Sequence, residues 1–377
     1  MNIVQIVGSA LMLIVLLSVM LFVPWRIVVK NAQLPKKTEK MLKYTGIVMV
    51  LLMFPAMGLG HGKHIDPLRL YGDSMFGIIW VAFVWSSIVG FLGLIIQAII
   101  KKKSPKIVSA VALITIISML SYGFYGANKQ PDMNYETIKL TKLNPKLNGT
   151  KVALISDAHF GPINQEKWMA KIVQRINAEN PDVVIFAGDI ADGTAEQRRA
   201  EADELKNIKA STRVYVTGNH EYIEGVIPWE NEIKSFGWNV LINENVEVNK
   251  NGSKFTIAGV DDASAVHYDI PGQAPNFDKA MAGVDKDNPV IMVAHQPKQV
   301  EGSKVHKVDL QVSGHTHGGQ IWPFEYLIPL DQPVVEGLEQ MSDTTQLFVT
   351  RGIGSWGPPL RIFAPSEINI LELSNQG

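Results

Sequence analysis

The 377 residues carry 35 Lys/Arg and 36 Asp/Glu, a balance that is a cancellation: residues 1–127 hold 12 basic and 3 acidic residues, net +9, and residues 128–377 hold 23 and 33, net −10. The chain has no cysteine, which excludes a disulfide framework, a thiolate metal site and a thiol nucleophile. The acidic second half also argues against nucleic acid as the main partner, because binding a phosphate backbone needs clustered cations.

In chain order, residues 3–23 form an uncharged run of about the 20 residues that cross a bilayer. The first positive charge, Arg26, follows the run, whereas a cleaved signal peptide carries its basic residue ahead of a shorter apolar core. Apolar segments follow at 44–60, which contains Pro55, at 74–100 and at 107–125. The loop after the first run carries Arg26, Lys30, Lys36, Lys37, Lys40 and Lys43, and the loop before the last carries Lys101, Lys102, Lys103 and Lys106. The intervening loop carries only Lys63 and Arg69. Positively charged loops stay cytoplasmic, so four spans are expected, with everything after Tyr125 on the extracytoplasmic side of the cytoplasmic membrane. No Asp, Glu, Lys or Arg lies inside the four runs. The expectation is therefore an anchor and not a transporter, which needs intramembrane ionisable groups. His61 and His64 read as exposed loop residues.

From Asn128 the pattern changes. Residues 128–150 read as a linker and the approach to a first strand, with KLTKLNPKLNGT rich in turn formers. Buried strands are then expected at VALIS (152–156), VVIFA (183–187), RVYVT (213–217), VIMVA (290–294) and VDLQV (308–312). Between them, QEKWMAKIVQRINAEN places Trp168, Ile172 and Ile176 on one helical face, and TAEQRRAEADELKNIK reads as a second helix. VEVNKNGSKFTIAG reads as a hairpin turning at Asn251-Gly252. LFVT and INILEL supply late strands. Strands alternating with helices define an α/β core.

Each of the five buried strands ends in ligand-type residues. Asp157 and His159 follow the first; Asp189 and Asp192 follow the second; Asn219 and His220 follow the third. His295 follows the fourth, and His315 and His317, in GHTHGGQ, follow the fifth. Active sites of open α/β sheets form at the carboxyl ends of strands. Carboxylates, imidazoles and an amide oxygen suit Mn, Zn or Fe. Asp157, His159, Asp189, Asn219, His295, His315 and His317 are enough for two divalent ions, which at about 3.5–4 Å apart clamp both oxygens of an in-line phosphoryl displacement.

The series D-x-H, GD-x-x-D, GNHE, H and GHTH, in that order over roughly residues 150–377, resembles the calcineurin-like metallophosphoesterase superfamily. GDIADG, GHTHGGQIWP and RGIGSWGPPLRIFAPSEI further resemble its membrane-associated phosphodiesterase branch. The resemblance implies a four-layer α-β-β-α sandwich over 151–377; the apolar runs and loop charges place an all-α membrane anchor of four helices over 1–127 ahead of it. It implies one ion on Asp157, His159, Asp189 and His317 and a second on Asp189, Asn219, His295 and His315, with Asp189 bridging. It further implies a metal-bridging hydroxide as nucleophile, with His220 facing the substrate and Asp192 orienting His220. Where protein phosphatases of the superfamily continue GD-x-x-D with an arginine, this chain has Gly193-Thr194, which points away from protein phosphomonoesters. The expected reaction is hydrolysis of envelope or lipid-linked phosphodiesters. The alternatives are a phosphomonoesterase, a nucleotide-lipid pyrophosphatase or a metal-binding scaffold without catalysis. Arg351 and Arg361 are candidates to grip a substrate anion, Trp322 and Trp356 to form an apolar lip. His267 and His306 match no ligand position.

Overall fold

The structure, a computed structural model, describes residues 3–190 and 192–375, and the side chains of residues 1–11 and 13 lie outside the described set. The chain divides into two compact units, residues 1–125 with 357–360, and residues 126–356 with 361–377.

The first unit is helical: α1 (Ile3–Pro24), a π-helical turn (Trp25–Lys30), α2 (Lys36–Gly62), α3 (Asp66–Ile100) and α4 (Pro105–Asn128). Among the described residues α2, α3 and α4 are each long and apolar enough to cross a membrane. The first expected span coincides with α1, most of whose N-terminal side chains lie outside the described set. Pro55 does not interrupt α2, since an apolar surround favours keeping every remaining backbone hydrogen bond inside the helix. The third span was expected to begin at residue 74, yet α3 starts at Asp66 and is 35 residues long, about 52 Å at 1.5 Å per residue. Its first turns carry Arg69 and Asp73, each 3% exposed. Arg69 Nε lies 3.6 Å from Asp73 Oδ2, and His61 Nε2, in the last turn of α2, lies 2.9 Å from Asp73 Oδ1. His61 is thus not the free loop residue expected: a buried carboxylate needs partners, and the end of α2 and the start of α3 supply one each.

The second unit is built on two six-stranded sheets. In chain order the strands are β1 (Asp132–Lys139), β2 (Thr150–Ile155), β3 (Val183–Phe186), β4 (Thr212–Tyr215), β5 (Asn239–Val240), β6 (Glu244–Lys250), β7 (Ser253–Gly259), β8 (Val290–Val293), β9 (Leu310–Ser313), β10 (Gly337–Gln340), β11 (Gln346–Val349) and β12 (Glu367–Ser374). One sheet runs β1-β12-β2-β3-β4-β5 and the other β10-β11-β9-β8-β7-β6. β2 to β5 are parallel, as are β7, β8, β9 and β11. Strands buried on both faces read as continuous apolar runs, and β3, β8 and β9 are buried at every residue.

The pleat sends alternate residues to opposite faces. Leu154, Ile185 and Val214 meet Phe255, Ile257, Ile291 and Val312 in a core between the sheets. On the other face of the first sheet, Ile155, Phe186 and Tyr215 pack against α5 (Glu166–Ala178) and, through Trp229 and Ile233, against α8 (Val226–Ser235). The buried face of α5 is Met169, Ile172, Val173 and Ile176, so Trp168 sits at its border and not in its stripe. The second expected helix resolves into a short α6 (Arg199–Asp203) and a 3-10 turn at Glu204–Asn207. Three further short helices are α7 (Asn219–Glu224), α9 (Phe277–Ala280) and α10 (Val300–His306). The hairpin β6–β7 turns at Asn251-Gly252, both at positive φ (54° and 72°), as a type I′ turn requires.

Most of the expected linker is structured. β1 pairs with β12 along its whole length at the sheet edge, and KLTKLNPKLNGT forms the turn into β2.

Phe255 is fully buried between the sheets. Phe255→Ala is expected to cost about 3–5 kcal/mol, measured as a lowered urea midpoint of the separately expressed residues 128–377.

Candidate metal centre and active-site cleft

The expected residues sit in the turns that leave β2, β3, β4, β8 and β9, the parallel strands of both sheets. These turns depart from the pleat at once. Asp157, His159, Asp189, His315 and His317 all adopt left-handed φ, between 44° and 71°. Each such non-glycine residue costs of order 1–3 kcal/mol and persists where its surroundings over-determine it. Here the turns are stitched to each other: Asp157 N donates to Gly188 O (2.9 Å), Phe160 N to Ile190 O (3.1 Å), Gly314 N to His295 O (3.0 Å) and Gly354 N to Asp157 O (2.8 Å). Two glycines are required by proximity. A Cβ at Gly314 would overlap Ser156 Oγ and the Asp157 carboxylate, and one at Gly218 would overlap Asp189 Oδ1. Glycine in GHTHGGQ therefore lets one turn lie directly on another.

The stitching gathers the side chains into three groups whose ligand atoms lie within 4.8 Å of one another: Asp157, His159 and His317; Asp189, His295 and His315; and His159, Asp192 and His220. The Nε2 atoms of His159 and His317 are 3.1 Å apart, close to the ~3.0 Å between two imidazoles at right angles on one ion with bonds of about 2.1 Å. Asp157 Oδ1 is 3.4 Å from His317 Nε2, and Asp189 Oδ2 is 3.2 Å from His295 Nε2. Asp189 Oδ2 also lies 3.8 Å from His159 Nε2, so this carboxylate stands between the first two groups.

The donor set fits a cation. His295 Nδ1 donates to Ala187 O at 2.7 Å, which turns Nε2 toward Asp189. Burial disfavours the charged ring, but Asp189 and Asp157 push its pKa well above the usual value. Asn219 Oδ1 is buried without a hydrogen-bond partner. Burial pushes the pKa of His317 down to about 4, against the pull of Asp157, and burial with the neighbouring His295 does the same to His315. Both are neutral imidazoles near pH 7, as metal ligands must be. Burial opposes ionisation of Asp157 and Asp189, but the adjacent histidines outweigh it and hold both below the usual carboxylate range.

Asp192 has a wider part than expected. Its Oδ1 accepts from His159 Nδ1 at 2.9 Å and lies 2.6 Å from His220 Nδ1. One oxygen thus fixes the tautomer of a candidate ligand and of the candidate acid, leaving both Nε2 atoms directed away from it. Burial disfavours the His220 imidazolium, but Asp189 and Asp192 override it and push the pKa up to about 10. Cations on Asp189 would draw that value back down.

Glu221 carried no expected role. It is fully buried and accepts from the backbone N–H of Asp189 (3.0 Å), Ile190 (2.7 Å) and Gly218 (2.6 Å). It therefore clamps the turn after β3 to the turn after β4. Burial and the Asp189 charge push its pKa up to about 7, the N–H groups of Gly218 and Ile190 working against them. The signal available in the sequence was a glutamate three residues after Gly218, where a side chain can reach back to a helix start.

A cleft of about 360 Å³ opens over the groups. His159, Asp189, Asn219, His220, His315 and His317 line its floor, and Phe324, Leu327, Ile328 and Trp356 its walls. Trp356 is at the lip as expected, whereas Trp322 is not among the lining residues and packs edge-on to Phe363. Neither arginine lines the cleft. Arg361 is 1% exposed and gives its hydrogens to the carbonyls of His317, Arg351, Gly354 and Ala364, and Arg351 pairs with Glu336 and Glu367. The expectation that they grip substrate is corrected: Arg361 is spent on these carbonyls and on Nδ1 of His317, 3.1 Å from its Nη2, and Arg351 on its two glutamates. His267 is exposed, and His306 lies 3.5 Å from Asp278 and stacks on Phe277.

A buried Asp/His constellation at the carboxyl ends of two parallel-centred sheets is a site able to hold metal ions. Residues 150–319 match the family model for calcineurin-like phosphoesterases. A metallophosphoesterase of Helicobacter pylori strain J99 is 38% identical over 263 residues, covering 68% of each chain. A transmembrane protein with a metallophosphoesterase domain from Danio rerio is 34% identical, over 70% of this chain and 62% of that one. The metallophosphoesterase YkuE of Bacillus subtilis is 29% identical, over 63% of this chain and 84% of that one. The chain belongs to the calcineurin-like metallophosphoesterase family.

Glu221→Gln keeps the shape but points an amide N–H₂ at backbone N–H groups. It is expected to destabilise the second unit by about 1–3 kcal/mol, the cost of a buried group left without its partner. A thermal melt, with bound metal measured by mass spectrometry of the element, checks this; an unchanged melt and unchanged metal content would remove Glu221 from the site's architecture.

Proposed function

We propose that the chain is a membrane-anchored phosphodiesterase that works with two divalent ions. The make-up of the cleft carries this reading: Asp/His groups at the floor, walls that are largely apolar with Asp331 and Gln332 among them, and no lysine or arginine among its described lining residues. A phosphomonoester carries close to two negative charges near neutral pH, and a diester carries one. A cleft whose positive charge is limited to the ions and His220 suits the singly charged diester. Phe324, Leu327, Ile328 and Trp356 suit a substrate with an apolar substituent, hence a lipid-linked or envelope phosphodiester.

Asp157, His159, Asp189 and His317 would hold one ion, and Asp189, Asn219, His295 and His315 the other. The ions, Mn, Zn or Fe, would neutralise phosphate charge and make water acidic enough to attack. The chain's own groups do the rest. Asp192 accepts from His220 Nδ1, keeps the ring cationic and leaves Nε2–H to face the cleft. His220 then donates that proton to the leaving oxygen. Gly218 and Gly314 allow the turns to approach closely enough for the ligands to converge.

Within the same proposal α1 is a fourth span, the second unit is extracytoplasmic, and the two sheets with their outer helices count as four layers. The support for the topology is that Arg26 and Lys30, after α1, and Lys103, before α4, line one cavity. The two lysine-rich loops share an end of the helical unit, which the charge rule assigns to the cytoplasm.

Hydrolysis of bis-p-nitrophenyl phosphate is expected to exceed that of p-nitrophenyl phosphate, to vanish with a chelator and to return with Mn or Zn. A preference for the monoester would sink the diesterase reading and leave the metal site standing. His220→Ala is expected to lower kcat by about 10²–10⁴ with metal content unchanged; turnover surviving that change would remove His220 as the acid. Asp192 raises the His220 pKa, so Asp192→Asn lowers it. The alkaline limb of kcat/KM is then expected to move about 1–3 pH units downward, and a pH–rate profile with that limb unmoved would contradict the pairing.

A further inference from the structure

At the C-terminal end of α3 the helical unit contains a cavity of about 760 Å³. The π-helical turn Trp25–Lys30, the end of α3 and the start of α4 form it. These parts are fixed to one another. Ile27 packs on Gly90 so closely that a Cβ there would come within 2.8 Å of Ile27 Cδ1, and Ser109 Oγ donates to Val28 O at 2.5 Å. Gln97 spans α3 and the next loop, donating to Gly93 O and accepting from Ser104 N, both at 2.9 Å. π-helical turns recur at functional sites.

The lining has two characters. Arg26, Lys30 and Lys103 supply three cations, and no carboxylate is among the described lining residues. Arg26 Nη1 donates to the neutral Asn31 Oδ1 at 2.8 Å, and Lys30 pairs with Glu39, which does not line the cavity. Leu94 and Val108 form an apolar wall, Leu94 being 68% exposed. The cavity lies where two apolar, membrane-length helices, α3 and α4, meet their connecting loop. Concentrated positive charge beside an apolar wall, at the end of membrane-length helices, fits an amphiphile with an anionic head. No aromatic ring lines the cavity, so nothing in it would stack on a nucleotide base.

We infer that this cavity is a binding site for an anionic phospholipid, whose phosphate is held by Arg26, Lys30 and Lys103 and whose acyl chain lies along Leu94 and Val108. The site is separate from the metal centre and does not depend on the proposed activity. The full chain, purified in detergent, would be titrated with phosphatidylglycerol or with phosphatidylcholine and its lipid adducts counted by native mass spectrometry. The expected result is retention of phosphatidylglycerol at least about tenfold over phosphatidylcholine, with the preference lost in the triple variant Arg26→Gln, Lys30→Gln, Lys103→Gln and weakened in Lys103→Gln alone. An unchanged far-ultraviolet circular dichroism spectrum and elution volume of the full chain in detergent show that the variants keep the helical unit folded. Equal retention of the two lipids would overturn the inference, as would a preference that survives the triple variant. Displacement of phosphatidylglycerol by millimolar inorganic phosphate would identify a free-anion site and overturn the lipid assignment.

Discussion

Two carboxylates, Asp157 and Asp189, are buried within 4 Å of three imidazole nitrogens, and the architecture of the second unit follows from that. Unpaired charge in a protein interior is costly by several kcal/mol per group, and the histidines beside the two carboxylates supply the compensating positive charge. The arrangement is stable when positive charge sits between the carboxylates. A site of this kind is a cation hole first and an active site by consequence. The left-handed residues, the two close-approach glycines and the Glu221 clamp all hold negative groups nearer together than they would rest alone.

The two sheets meet the geometric demand. Their parallel centres point the carboxyl ends of β2, β3 and β4 and of β8 and β9 at a shared edge, so five short turns can each contribute one or two ligands. The ligands are then supported by backbone and not by long side chains: His295 by Ala187 O, Asp189 by the N–H of His220, Asp157 by the N–H of His315. Backbone support fixes position with little conformational entropy left to lose, which a site needing sub-ångström placement requires. Asp192 adds an electrical link, since one oxygen serves both the His159 ring, within the Asp/His groups, and the His220 ring, which lines the cleft.

The ligand turns were legible in the sequence because two signals coincide there: a run of apolar β-formers stops, and a carboxylate or imidazole follows within a few residues. The hairpin at Asn251-Gly252 was legible because only certain residues accept its turn. β1 was not, because DMNYETIK is an edge strand with one buried residue and lacks the apolar run. The start of α3 was misplaced because Arg69 and Asp73 look like loop residues until they are seen to neutralise each other. Arg361 was misassigned because a sequence shows that a guanidinium is present and not that backbone carbonyls surround it. Glu221 was overlooked because its partners are N–H groups, which every residue has. Motifs record chemistry that reaches outward; groups that act on the backbone leave a weaker trace.

The order of the first sheet bears on the birth of the molecule. β12, Glu367–Ser374, lies between β1 and β2, so the strand synthesised last among those described occupies an interior place next to the earliest. Long-range pairings of this sort, parallel with β1 and antiparallel with β2, form slowly, because a large loop must close before any contact rewards it. The first sheet cannot close while translation is still short of residue 374, and until then β2, which carries Asp157 and His159 at its end, lacks a neighbour. Ligands spread from Asp157 to His317 are likewise incomplete until late in synthesis. The apolar helices therefore leave the ribosome ahead of the Asp/His groups, and are complete well before those groups can be brought together.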